Sequence, residues 1–282
     1  MHKTEQIKKY WEVSPPYKGE GEAGSLEWSK SISDHRYSLA PYLKPFMNAE
    51  TYKGKNVLEI GCGSGSDLLE FARAGADVTG IDITDKAIVT TKERFKLHGL
   101  DADLRTYSGK ELPFDKGQFD LVYSYGVLHH TPYMEDIFVD IYRVLKESGQ
   151  MKLMLYNKYS LLYYYSILYL RKYIEKSDLN REELLSKYSE FREGCPHTRC
   201  FTAMEICQKI QYFSTVSTRS DFCVYDTQTN RKLPVVNFDV NADIENTGTA
   251  DIDFFFKEFS EVVSHTSNLN KFGWHLLVSA FK

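Results

Sequence analysis

Cysteine is scarce in this 282-residue sequence. Five residues, an odd and scattered set, argue against a disulfide-stapled secreted scaffold and predict reduced thiols in a cytoplasmic protein. Basic charge is not in excess either. Lys and Arg number 35 against 39 Asp and Glu, a net charge of -4, so no general basic field is offered to a phosphate backbone and nucleic acid is not expected as a partner. The most apolar stretch, 159–170, runs for twelve residues where a bilayer span needs about 20, so no membrane span is expected. Met1-His2-Lys3-Thr4-Glu5 puts no apolar core behind its charges, and no secretory leader is expected. Internal repeats and low-complexity segments are also missing. Aromatic residues are what the chain has in quantity: 20 Tyr and 17 Phe, many far from the motif described next, imply a second, aromatic-lined pocket or aromatic packing.

That motif is Asn56-Val57-Leu58-Glu59-Ile60-Gly61-Cys62-Gly63-Ser64-Gly65-Ser66. Val57, Leu58 and Ile60 read as a short buried strand, and Gly61, Gly63 and Gly65 as a turn without Cβ atoms where a ligand can approach the backbone. Ser66 and Asp67 then open a helix carrying Leu68, Leu69, Phe71 and Ala72. A second strand, 77–82, ends in Asp82, roughly 20 residues after the turn, where a carboxylate can hold both hydroxyls of a ribose. Strand, glycine turn, helix and strand-end acid form the opening of a nucleotide-binding α/β domain. A dinucleotide fingerprint rests a pyrophosphate on the helix N-terminus; the acidic Glu59 just ahead of this turn suits a cationic ligand better, which disfavours a nicotinamide-dependent oxidoreductase.

In order along the chain stand Glu59-x-Gly61-x-Gly63-x-Gly65, Asp82, Leu112-Pro113-Phe114, Phe119-Asp120-Leu121-Val122, His129-His130 and Arg143-Val144-Leu145-Lys146. This set resembles the class I S-adenosylmethionine-dependent methyltransferases, and within them the small-molecule group that includes the quinone-biosynthesis enzymes. The resemblance covers about residues 50–157. It implies S-adenosyl-L-methionine as cofactor and a Rossmann-like α/β fold, a seven-stranded, mostly parallel sheet with an antiparallel last strand. It also implies roles for particular residues. Gly61, Cys62, Gly63 and Gly65 should flank the cofactor, with Glu59 near its methionine end, Asp82 at the ribose and Ile83 on the adenine. The loop acid that usually meets the adenine amino group is replaced by Ser108, leaving the backbone at Gly109 to serve. Ser124 and Gly126 lie at the carboxyl end of the fourth strand, where ligands of such sheets bind.

The chemistry asks little covalent work of the protein, because the methyl group arrives already activated on a sulfonium. A hydroxyl or thiol acceptor gains from a nearby base, worth roughly 10²–10⁴-fold. His129 or His130 could be that base, since imidazole titrates near neutrality, or the pair could simply order its loop. Tyr156 and Asn157 after the fifth strand, with Tyr17, Trp28, Arg36 and Tyr37 of the N-terminal segment, are the candidates for holding a small-molecule acceptor. Arg36 can bind an anionic substrate or pair with a surface carboxylate. No Asn/Asp-Pro-Pro-aromatic run stands at residues 123–126, which counts against exocyclic amines of nucleobases. The expected activity is methyl transfer to a small metabolite at oxygen; the alternatives are transfer to nitrogen or carbon, or a catalytically silent protein that binds the cofactor.

Four parts are expected: an N-terminal helical lid over 1–50, a cofactor-binding core over 51–157, a helical cap over 158–213, and a C-terminal completion of the sheet over 214–282. Strands are predicted near 55–60, 77–82, 103–107, 119–124, 150–156, 215–224 and 274–281, and helices over 4–12, over 26–47 in pieces broken at Pro41 and Pro45, over 182–193 and over 202–213. The stretch 225–270 carries no assignable pattern, and Asp251 and Asp253 read as solvated loop acids. No metal is expected. Cys195-Pro196-His197-Thr198-Arg199-Cys200 lacks the second ligand pair of a zinc site, and Asp239-Val240-Asn241-Ala242-Asp243 lacks the glycine and the bidentate acid of a calcium loop.

Overall fold

Val57, Leu58 and Ile60 are fully buried because β1 (Asn56–Ile60) is an interior strand, flanked on both sides by parallel neighbours. Val57 registers with Val78 of β2 (Asp77–Asp82) and with Leu121 of β4 (Phe119–Tyr125). The computed structural model describes residues 3–13, 19–190, 194–221, 225–226, 231–232, 247–263 and 272–282. Within them β3 (Asp103–Thr106), β5 (Leu145–Tyr156), β6 (Ser214–Asp221) and β9 (His275–Phe281) complete a sheet of order β3-β2-β1-β4-β5-β9-β6. A separate two-residue pair joins β7 (Tyr225–Asp226) to β8 (Arg231–Lys232).

The last strand runs antiparallel, as expected. The Lys282 amide donates to the Gly149 carbonyl and the Asn157 amide to the Trp274 carbonyl, so β9 descends as β5 ascends. Ser214 and Ser217 donate to the carbonyls of Phe281 and Ser279, the same opposition on the β6 side. The fifth strand starts earlier than the pattern predicted. Leu145 already pairs with Phe119, the register slips, and pairing resumes at Gln150 and Leu121 across a turn in which Ser148 has φ 62.

Helices α1 (Lys3–Val13), α2 (Leu26–Leu39) and α3 (Leu43–Met47) precede the sheet. Pro45 does not break α3 as expected; it lies in the first turn, where a missing N–H has no intrahelical acceptor to lose. Lys152 of β5 explains itself here. Its Nζ donates to the carbonyls of Phe46 and Met47 at 3.0 and 2.9 Å, capping α3, while burial pulls the amine down to about 8. The helices α4 (Ser66–Arg73), α5 (Asp85–Leu97) and α6 (Met134–Val144) alternate with the strands.

Two compact units emerge: Met1–Met154 with Cys207–Ser217 and Val278–Lys282, and Leu155–Ile206 with Thr218–Leu277. The first contains the expected cofactor-binding elements. In the second, the apolar stretch predicted as a cap α-helix is a π-helix, Leu162–Ile174, on which Tyr165, Tyr169 and Tyr173 stack in succession at 5.9 and 5.5 Å. Helices α7 (Arg181–Tyr188) and α8 (Ala203–Lys209) are shorter than predicted. The unassigned stretch contains α9 (Ala250–Val263), whose Phe255 and Phe259 pack with Phe272. Asp251 and Asp253 are therefore not loop acids: Asp251 pairs with Arg181, and Asp253 accepts from the Thr247 amide and hydroxyl near the start of the helix. Residues 239–243 lie outside the described residues. No helix among the described residues is long and apolar enough to cross a membrane.

Candidate active site

The glycine turn leaves β1 and enters α4 against two walls and one opening. A Cβ on Gly61 would stand 2.3 Å from Val127 Cγ2, so only glycine lets the loop after β4 pack against the turn. Gly63, at φ 54, has nothing within 4 Å of that position. The turn is bare where a ligand can approach and filled where the protein must close. The Thr91 hydroxyl of α5 donates to the Gly63 carbonyl at 3.0 Å and holds the peptide in place.

Asp82 braces the same turn from the end of β2. Its Oδ2 accepts from the Gly63 amide at 3.0 Å, and its Oδ1 accepts from the Thr84 amide and hydroxyl, each at 2.8 Å. Burial raises its pKa, and these three donors oppose the rise. A carboxylate so fixed keeps acceptor capacity on Oδ2 for a hydroxyl delivered at the turn. Ile83 follows it, with Cδ1 3.2 Å from the Cβ position of Gly109, while Ser108 is exposed.

Glu59 is buried one residue before the end of β1, and its Oε2 has no hydrogen-bond partner. Burial lifts its carboxyl well above the usual glutamate range, with Asp67 and Asp82 adding to the rise and Arg36 opposing it. A buried acid with one oxygen unpartnered, beside an open glycine turn, fits a cation, as the sulfonium and ammonium groups of the implied cofactor would provide. With its folded-state pKa raised, Glu59 supplies stability that is complete below the unfolded glutamate pKa and is lost as pH rises through the raised value. Binding a cation favours the ionised form. S-adenosylmethionine affinity is therefore expected to rise with pH across that range, with net proton release on binding. Calorimetric titration in two buffers of different ionisation enthalpy reads this directly; equal heats in both would leave Glu59 outside the site.

The candidates of the N-terminal segment have definite places. Arg36 forks onto Asp67: Nε meets Oδ1 at 2.7 Å, the second nitrogen meets Oδ2, and its guanidinium lies 4.5 Å over the Tyr125 ring. Tyr37 and Tyr123 hydroxyls also donate to Asp67, at 3.0 and 2.9 Å. Arg36 thus sits on a buried acid of α4, neither on a surface carboxylate nor alone. Trp28 packs on Gly19, where a Cβ would stand 2.2 Å from its ring. Tyr17 lies outside the described residues.

One residue of this unit went unread in the sequence. Arg94 of α5 is fully buried, and all its donors are used: Ser29 Oγ and carbonyl, Ser33 Oγ, Ser64 carbonyl and Ser66 Oγ, at 2.6 to 2.9 Å. It ties α2 to the glycine turn. Its signal was a charge on the buried stripe of Ile88, Thr91 and Phe95.

At the carboxyl end of β4, the Ser124 hydroxyl donates to the Ile60 carbonyl at 2.9 Å, and the Gly126 amide to the Met154 carbonyl. His129 and His130 follow in a 3₁₀ turn, both buried, with ring centroids 4.2 Å apart. The ring of Trp11 from α1 lies 5.1 Å from that of His130. In the other unit, Tyr156 stacks on Trp274 at 4.3 Å, and Asn157 spends its amide on the carbonyls of Tyr159 and Gly273. No group of metal-ligating side chains exists among the described residues.

Residues 58–153 match the family model of a methyltransferase domain. A sterol 24-C-methyltransferase of Pneumocystis carinii is 30% identical over 125 residues, which is 43% of this chain and 32% of that protein. A ubiquinone biosynthesis O-methyltransferase of Dechloromonas aromatica is 33% identical over 116 residues, 41% of this chain and 50% of that protein. The chain thus spans a third to a half of the length of these relatives. A SAM-dependent methyltransferase structure from Methanosarcina mazei aligns over 84% of this chain and 97% of its own with a TM-score of 0.55 and 19% identity, a likeness of fold. The glycine turn and the strand-end acid both lie within residues 58–153, the stretch that matches the methyltransferase domain.

Proposed function

We propose that the protein transfers a methyl group from S-adenosylmethionine to a small-molecule acceptor, at oxygen. The observation that carries this reading is the combination of Asp82, fixed on the open glycine turn, with the buried acid of Glu59, whose Oε2 has no hydrogen-bond partner. When bound, the cofactor supplies a methyl group already activated on sulfur. The chain's own part is to hold the nucleoside at Asp82, to face the positive charge with Glu59, and to exclude water. An oxygen acceptor also needs a base, and the His129–His130 pair is the candidate: Val127, two residues before it, packs on Gly61. Relatives named for transfer to carbon and to oxygen both support a small acceptor, and the panel that tests it spans phenols, sterols and other alkenes. Micromolar S-adenosylmethionine binding, followed by a 14-dalton gain on one acceptor class, is the expected result; no binding at millimolar cofactor would end the reading.

A second reading is a cofactor-binding protein without transfer activity. Ser108, exposed where the family usually places an adenine-binding acid, and His129, wholly shielded from solvent, favour it. Intact cofactor affinity with no product across the panel would select it.

A further inference from the structure

Two polar atoms of α1 are buried without a hydrogen-bond partner among the described residues. The first is Thr4 Oγ1. The Thr4 methyl carbon lies 3.6 Å, and Ile83 Cδ1 3.2 Å, from where a Cβ of Gly109 would stand, so the three residues meet at one place. That is the expected adenine position, and the acid usual there is absent. The second is Glu12 Oε2. Its Oε1 accepts from the Lys86 amide at 3.1 Å, and its charge is close enough to push the Asp82 carboxyl upward. Lys8 latches the helix to Asp85 at 2.8 Å, and Trp11 sets its other end against His130.

A buried hydroxyl or carboxylate oxygen with no partner destabilises the fold, and two on one helix ask for a common explanation. Packing alone provides none, since valine or leucine would fill the same volume without the cost. A ligand that brings hydrogen-bonding groups to both provides one, and adenosine has them in the right order: an amine-bearing base at one end, a pair of hydroxyls at the other.

We infer that α1 completes the adenosine site, the Thr4 hydroxyl meeting the adenine edge in place of the missing loop acid and the Glu12 carboxylate taking a ribose hydroxyl beside Asp82. The inference rests on the S-adenosylmethionine reading above. It makes the N-terminal helix a binding element with its own base and sugar contacts, beyond its part as a cover.

The test is competition of adenosine, purine riboside, and 2′- and 3′-deoxyadenosine against S-adenosylhomocysteine in the full chain. Thr4→Val should weaken S-adenosylhomocysteine about fivefold to tenfold and abolish the preference for adenosine over purine riboside, which lacks the exocyclic amine. Glu12→Gln should weaken it about tenfold and abolish the preference for adenosine over one of the deoxyadenosines. Melting temperatures should not fall for either variant. Wild-type protein that fails to bind S-adenosylhomocysteine defeats the cofactor reading itself. Wild-type binding with preferences unchanged in the variants, whatever their affinity, overturns only the role given to α1.

Discussion

Asp82→Ala is expected to lower S-adenosylmethionine affinity by about 100-fold, or about 2.7 kcal/mol. Hydrogen bonds to a charged acceptor contribute roughly 1.5–3 kcal/mol each, and the residue has two separate claims on that range. One is the ribose, which loses its carboxylate. The other is the turn, because the Gly63 amide, the Thr84 amide and the Thr84 hydroxyl all lose the acceptor that orders them. Asp82→Asn does not rescue both, since its amide nitrogen must face either the Gly63 donor or the Thr84 donors. Thr84→Ala separates the claims: it removes one donor, leaves the carboxylate on the turn, and should cost less than about tenfold. Calorimetric titration far below the melting transition reads the affinities. An affinity for Asp82→Ala equal to wild type would remove the residue from the pocket and the pocket from this end of the sheet.

How much of this was legible beforehand follows from how local the causes are. The β1–turn–α4 unit was readable because glycine spacing, apolar periodicity and a strand-end acid act over a few residues and leave their chemistry in the sequence. The place of β9 was readable as a terminal apolar strand of known precedent in the family. Other elements depend on partners far along the chain. Phe255 and Phe259 looked unplaced among acidic neighbours; in the structure they form the buried face of α9 against Phe272, while Asp251 and Asp253 find Arg181 and Thr247. The π-helix is a matter of one extra residue per turn, and a run of tyrosines fits either winding. Asn157 looked ready to face a substrate from its position after β5, yet its amide is used to fasten two backbone segments. Arg36 posed a choice between an anion and a surface acid, and the choice turns on Asp67, whose burial no local pattern announces.

Arg94 is the strongest case of such hidden dependence, and replacing it should give the largest loss of stability. Burial pulls its guanidinium down to about 10, which still leaves it protonated at neutral pH, and no carboxylate is among its hydrogen-bond acceptors. The charge is instead spread over three serine hydroxyls and two carbonyls belonging to α2, the glycine turn and the start of α4. Arg94→Met keeps most of the volume but strands these acceptors in a site closed to water, at about 1–3 kcal/mol for each that finds no new partner. A total near 4 kcal/mol, or a fall of about 10 °C in melting temperature, is the expected result. Arg94→Lys retains the charge with three donors on a flexible stem in place of a five-donor fork, and should recover only part of it. Loss of packing alone would look different. Phe95→Leu, on the same helix, should lower the melting temperature without touching cofactor affinity, whereas Arg94→Met should lower both even where it is fully folded, because Ser64 belongs to the turn and Ser29 and Ser33 to the helix laid over it. Stability lost with affinity intact would mean that α2 and the turn keep their places independently, and that this arginine only fills the space between them.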